Sequence, residues 1–124
     1  MPNWRRDRAA RREKSHGHLS TARFQVRPEG LARCEAAIRE FVGYVRSREP
    51  GTLLYISLQD ASNPTNFLHY FIFQDEEARE EHANSEGVKR FTETLYPETL
   101  APVEFTEYVV FASTRRADTG PFGR

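Results

Sequence analysis

His69 and His82 are the residues of this chain best suited to moving a proton near neutral pH, and His69 lies in the most aromatic segment. His69 shares one alternation with Phe67, Phe71 and Phe73, so these four side chains fall on one face of an extended segment. Tyr55 and Tyr70 carry hydroxyls that can donate to an oxygen atom, and Asn66 opens the aromatic segment with a polar group. A base, one or two hydrogen-bond donors and apolar walls are together what proton transfer in a water-poor cleft requires. His82, His69, Tyr55 and Tyr70 are therefore the candidate catalytic residues, with His82 foremost. Asn66, Phe67, Phe71 and Phe73 are the candidates for substrate contact. Each also has a purely structural reading. A histidine can hydrogen-bond a backbone carbonyl, a strand tyrosine can bury its ring, an asparagine can serve a turn, and phenylalanines can simply form core.

Other chemistries find less support. Cys34 is the only cysteine, which excludes an intrachain disulfide and makes a reducing cytoplasm the expected setting. It falls on an apolar helix stripe, the place of a buried structural thiol. There is no phosphate-cradling glycine loop, dinucleotide fingerprint or zinc-ligand spacing. His16 and His18 could catch a metal only incidentally, and neither a metal site nor a cofactor is expected. No stretch approaches the roughly 20 apolar residues of a membrane span, and no apolar segment follows the N-terminal arginines as a secretory signal requires.

The formal net charge is zero, yet residues 1–18 hold six cationic residues against Asp7 and Glu13. Such an arm could touch nucleic acid or an anionic surface, but it reads first as a solvated leader whose Trp4 can tuck against the body or a partner subunit. The body has no basic stripe interleaved with aromatics, so nucleic-acid binding is not expected.

The elements that must position the candidates follow from periodicity. Ala22, Phe24 and Val26 alternate with polar residues as a half-buried strand, which Pro28-Glu29-Gly30 ends. Leu31, Cys34, Ile38, Phe41 and Val45 make one stripe on a helix of about 18 residues, stopped by Glu49-Pro50-Gly51. A second strand covers Leu53 to Leu58, Asp60 to Thr65 forms a turn-rich connection, and the aromatic strand runs from Asn66 to Gln74. Asp75 is placed to cap a second helix through Ala78 and His82. That helix breaks near Asn84-Ser85-Glu86-Gly87 and resumes through Val88, Phe91 and Leu95. Val103 to Ala112 forms the last strand. The expected organisation is an arm over 1–18, one domain over 19–112 and a tail over 113–124, in a chain of 124 residues with room for one core.

This order, β-α-β-β-α-β, predicts an α+β, ferredoxin-like four-stranded antiparallel sheet with helices on one face. Strands two and three are nevertheless apolar on both faces. Leu54, Ile56 and Leu58 oppose Leu53 and Tyr55, while Leu68, Tyr70 and Ile72 oppose Phe67, Phe71 and Phe73. A strand buried on both sides needs a second cover that the chain cannot supply, which predicts a two-fold homodimer.

Over residues 20–112 the chain resembles the antibiotic biosynthesis monooxygenase superfamily. The likeness rests on the strand ending near Pro28-Glu29-Gly30, the helix ending in Arg48-Glu49-Pro50-Gly51 before a strand bearing Tyr55, the aromatic strand ending in Gln74-Asp75-Glu76-Glu77-Ala78, and His82, Ser85 and Phe91 after it. The resemblance implies a dimeric α/β barrel. It also implies, in some members, cofactor-free oxidation of polycyclic phenols or quinols by molecular oxygen. Other members bind or degrade haem. Where many members carry a glutamate and a tryptophan on the aromatic strand, Phe71 and Phe73 stand here. His82 matches the histidine of the haem-degrading members, but their tryptophan and first-strand asparagine are absent. The expected function is a cofactor-independent monooxygenase acting on a small aromatic, phenolic or quinol compound. The alternatives are a non-catalytic dimeric binding or assembly domain and, third, a haem-binding relative.

Overall fold

The computed structural model describes residues 18–115. The arm over 1–17 and the tail beyond 115, with Trp4 and His16, lie outside the described residues. The elements are β1 (His18–Gln25), α1 (Leu31–Arg48), β2 (Thr52–Asp60), β3 (Asn63–Phe73), α2 (Glu76–Ala83), α3 (Glu86–Leu95) and β4 (Glu104–Val109), with short 3-10 turns at Pro28–Gly30 and Tyr96–Glu98. The sheet order is β2-β3-β1-β4, and every neighbouring pair is antiparallel. This is the α+β, ferredoxin-like fold expected from the element order.

The stripe on α1 is buried as its spacing requires. Cys34, Ile38, Phe41 and Val45 pack with Phe24, Val26, Phe67, Phe91 and Leu95 in one core between the helices and the sheet. Each of the large side chains contributes about 1.5–3 kcal/mol by leaving water. Burial pushes the Cys34 thiol up, helped by the nearby Glu98 carboxylate, which suits an inert packing residue. Glu98 is itself buried and held by Arg27 Nε at 2.7 Å and Arg33 Nη1 at 2.6 Å, fastening the last 3-10 turn to the start of α1.

Helix starts follow local chemistry. Asp75 Oδ1 accepts from the Ala78 amide at 2.8 Å, and Ser85 Oγ accepts from the Val88 amide at 3.1 Å. The interruption near Asn84-Ser85 is thus a second N-cap, and the expected helix is two.

Some boundaries differ from expectation. β1 begins at His18, inside the stretch read as arm, and β4 is shorter at both ends than Val103 to Ala112. Pro64 and Asn63 belong to β3 rather than to a loop, leaving Ala61-Ser62 as the turn. Pro64 fits because it falls at a register irregularity beyond the end of β1, where no ladder bond is asked of its nitrogen.

All three helices lie on one face of the sheet. Leu54, Ile56 and Leu58 pair with Ile72, Tyr70 and Leu68 in rows on the other face, where Ile72 is buried. Ile56 and Leu58 are exposed there.

Candidate functional site

A cavity of about 450 Å³ opens between the sheet and the helices α2 and α3. The sheet gives it a floor of Ser20, Ala22, Phe24, Tyr55, His69 and Phe71, the helices a wall of Phe41, His82, Val88 and Phe91. Its lining is mainly apolar, with polar groups gathered in three places, a usual pattern for small-molecule sites.

The first polar group is built on His82. Ala78 and His82 are four residues apart and share one face of α2. Ala78 sits against Gly51, where an added Cβ would come within 2.6 Å of the Ala78 methyl group. The bare Gly51 backbone therefore lets α2 pack close on the α1–β2 connection, bringing Glu49 beside His82. Glu49 Oε1 accepts from His82 Nδ1 at 2.8 Å and from the Thr52 hydroxyl at 2.9 Å. Both side chains of the pair are nearly buried, at 12% and 8% exposure. A carboxylate on Nδ1 fixes the neutral ring with its lone pair on Nε2 and stabilises the imidazolium that forms when Nε2 takes a proton. The rings of Phe73 at 5.0 Å, Phe41 at 5.6 Å and Tyr55 at 5.8 Å surround it.

The second group is built on His69, which is 1% exposed. Its Nδ1 lies 2.8 Å from the Tyr55 hydroxyl and its Nε2 lies 2.9 Å from Ser57 Oγ. Ser57 and His69 are cross-strand partners on β2 and β3, and Tyr55 is two residues along the same face. Burial pulls the His69 pKa down to about 4, so the ring is neutral at physiological pH. Burial, and after it the Glu49 carboxylate, push the Tyr55 hydroxyl well above the ordinary tyrosine range. Tyr55 is therefore a phenol, never a phenolate, at neutral pH.

The third group lies at the rim. Arg79 of α2 donates to Glu107 of β4 at 2.9 Å and to Ser20 of β1 at 3.4 Å. Its guanidinium also sits 5.8 Å from the centre of the Phe73 ring.

Of the residues singled out from sequence, His82, His69, Tyr55, Phe71 and Phe73 line this one cavity. Three do not. Tyr70 and Asn66 have the opposite strand parity, and Tyr70 pairs with Ile56 on the face opposite the helices. Phe67 keeps the right parity but is consumed by the core, stacked on Phe24 at 5.3 Å.

Sequence reasoning passed over Glu49, Ser57 and Arg79, and read Phe41 and Phe91 as core alone. Glu49 did leave a signal. An acidic residue at the end of α1 faces the negative end of the helix dipole, a local cost that calls for a compensating partner.

A helix-backed antiparallel sheet with an aromatic cavity and a histidine–carboxylate pair defines a small α+β domain built around a ligand-sized pocket. The chain belongs to the antibiotic biosynthesis monooxygenase family, whose model matches residues 18–94. Similar solved structures include a proposed antibiotic biosynthesis monooxygenase from Bacteriodes thetaiotaomicron, at 19% identity and TM-score 0.73, covering 80% of this chain and 93% of that one. A structure of an antibiotic biosynthesis monooxygenase matches at 20% identity and TM-score 0.72, covering 77% and 99%. Rv0793 from Mycobacterium tuberculosis matches at 18% identity and TM-score 0.70, covering 79% and 98%. At these identities the likeness speaks for the fold. No curated protein is significantly similar in sequence.

Proposed function

We propose that this chain is a cofactor-independent monooxygenase that oxidises a small aromatic, phenolic or quinol compound with molecular oxygen. The observation that carries the reading is the Glu49–His82 pair on the wall of an otherwise aromatic cavity of about 450 Å³. His82 Nε2 takes a proton from the substrate's hydroxyl or activated C–H, and Glu49 stabilises the resulting imidazolium. The electron-rich anion reduces oxygen itself, so the substrate supplies all the electrons. An activated methylene group and one molecule of dioxygen give a carbonyl group and one molecule of water, with one oxygen atom in each product. Phe41, Phe71, Phe73 and Phe91 hold the flat ring and exclude water, which keeps the anion reactive.

The expected working unit is a homodimer in the cytoplasm. Support for the dimer comes from the row of Leu54, Ile56, Leu58, Leu68 and Tyr70 on the sheet face opposite the helices, which a second sheet would cover. Replacing Ile56 with Lys should convert the dimer to a monomer in sedimentation velocity. An Ile56→Lys protein that sediments unchanged removes that face as the interface.

The function is tested by oxygen uptake with anthrones and hydroquinones, without added cofactor. Uptake that disappears in His82→Ala supports the oxygenase. No uptake with any of these compounds turns the reading to a binding or assembly domain. A Soret band on haem titration that is lost in His82→Ala turns it to the haem-binding alternative.

A further inference from the structure

The geometry points to a tautomer switch at His69 that lets the Tyr55 hydroxyl accept a hydrogen bond from a ligand O–H or donate one to a ligand C=O or oxyanion. This rests on the proposed reading that the cavity takes an aromatic compound bearing oxygen. It adds which oxygen chemistry the floor of the cavity is built to meet, and it gives Ser57 and His69 a positioning role.

His69 is bracketed by two hydroxyls, Tyr55 on Nδ1 at 2.8 Å and Ser57 on Nε2 at 2.9 Å. A hydroxyl both donates and accepts, whereas a neutral imidazole has one N–H and one lone pair. The three groups therefore have two arrangements in which both ring nitrogens are satisfied. In one, Nδ1–H donates to Tyr55, Ser57 donates to Nε2, and the Tyr55 O–H is left to donate into the cavity. In the other, Tyr55 donates to Nδ1, Nε2–H donates to Ser57, and Tyr55 offers lone pairs to the cavity. Both hold the same three protons and carry no net charge. A third arrangement, with a protonated ring donating to both hydroxyls, is suppressed near neutral pH by burial.

The ring need not turn to change arrangement. It is packed edge-on to Phe24 at 5.0 Å and stacked with Phe91 at 6.0 Å, so proton positions change while heavy atoms stay. Ser57 is only half-buried, which gives the ring proton a route of exchange with solvent. The contrast with His82 is instructive, since a carboxylate can only accept and therefore locks that ring in one tautomer.

An oxidised aromatic compound presents different oxygen chemistry before and after reaction. A quinol or naphthol O–H donates, and a carbonyl or oxyanion accepts. A wall with a fixed acceptor would set lone pair against lone pair when a carbonyl or oxyanion faces it, and a wall with a fixed donor would confine a ligand hydroxyl to accepting. The Ser57–His69–Tyr55 set accommodates either, so the ligand class is an aromatic compound whose oxygen near Tyr55 passes between hydroxyl and carbonyl.

The test uses 1-naphthol as a donor ligand and 1-tetralone as an acceptor-only ligand of similar shape. Nitrogen-15 NMR of histidine-labelled protein should show His69 protonated on Nε2 with 1-naphthol and on Nδ1 with 1-tetralone. Ser57 partners Nε2 in both arrangements, so Ser57→Ala should weaken both ligands about tenfold, and Ser57→Thr should restore both. The same tautomer in both complexes, or affinities unchanged in Ser57→Ala, overturns the switch while leaving the oxygenase reading standing. Failure of both ligands to bind the unaltered protein overturns the cavity reading and the switch with it.

Discussion

The two histidines of the cavity differ in what surrounds them, and on the proposed reading that difference divides their work. His82 sits at the helix wall with a carboxylate on Nδ1, and His69 sits in the sheet floor between two hydroxyls. A carboxylate only accepts, so it holds the His82 proton on Nδ1 and leaves the Nε2 lone pair open. Burial favours the neutral ring and pulls the His69 pKa down to about 4, so this ring meets its two hydroxyls uncharged. Proximity to a substrate does not by itself make a base. The partner on the far nitrogen decides.

The largest effect should come from removing the base. His82→Ala should lower the proposed oxygen uptake about 100-fold or more, the usual range for a general base, with sedimentation unchanged. Turnover within a few-fold of the unaltered protein would dissolve the contrast between the two rings. The corresponding change at His69 should act on stability. Its unfolded pKa is near 6.5 and its folded value about 4, so the unfolded chain binds more protons between those pH values. Stability is therefore full above about pH 6.5 and declines as pH falls toward 4, by about 3 kcal/mol in all at 1.36 kcal/mol per unit. Denaturant unfolding at pH 7 and pH 4.5 measures this, and His69→Gln should flatten the dependence. An equally steep dependence in His69→Gln would place the titrating group elsewhere.

How much of this was legible in sequence follows from range. Periodicity is local, so α1, β1 and the aromatic strand were readable, as was the sheet from the element order. Strand parity brought His69, Phe71 and Phe73 to one face correctly. It could not say that Phe67 would be spent in the core, because that depends on Phe24, which only the β1–β3 register places against it. Tyr70 looked equivalent to Tyr55 by type, and parity alone separates them, since odd-numbered β2 residues and odd-numbered β3 residues share the helix face. Glu49 was visible only as part of a helix stop. Its pairing with His82 depends on the close pass of Gly51 under Ala78, a contact between elements far apart in sequence.

Glu49→Gln sharpens the comparison by removing charge while leaving an oxygen to accept from Nδ1. Turnover should fall about 10- to 100-fold, as is common when the outer partner of a working histidine is changed. Glu49 Oε2 is buried with no hydrogen-bond partner among the described residues, so the new amide has no acceptor waiting there either. Some loss of stability should accompany the loss of rate. A rate unaffected by Glu49→Gln would mean that the carboxylate only orients the ring, making His82 more like His69 than its surroundings suggest.

Thr52→Val should have the smallest effect. The Thr52 hydroxyl donates to the same Glu49 oxygen that accepts from His82, at 2.9 Å, and the substitution keeps shape while deleting the donor. The net loss should be about 1 kcal/mol in unfolding free energy, the usual net contribution of one hydrogen bond. The direction of the rate change tests the base more finely than the deletion does. With one donor fewer, more of the carboxylate's charge is left to the imidazolium, so turnover in Thr52→Val should hold or rise slightly while stability falls. If rate and stability fall together, Thr52 matters by keeping Glu49 in place, and the pair works through geometry more than through charge.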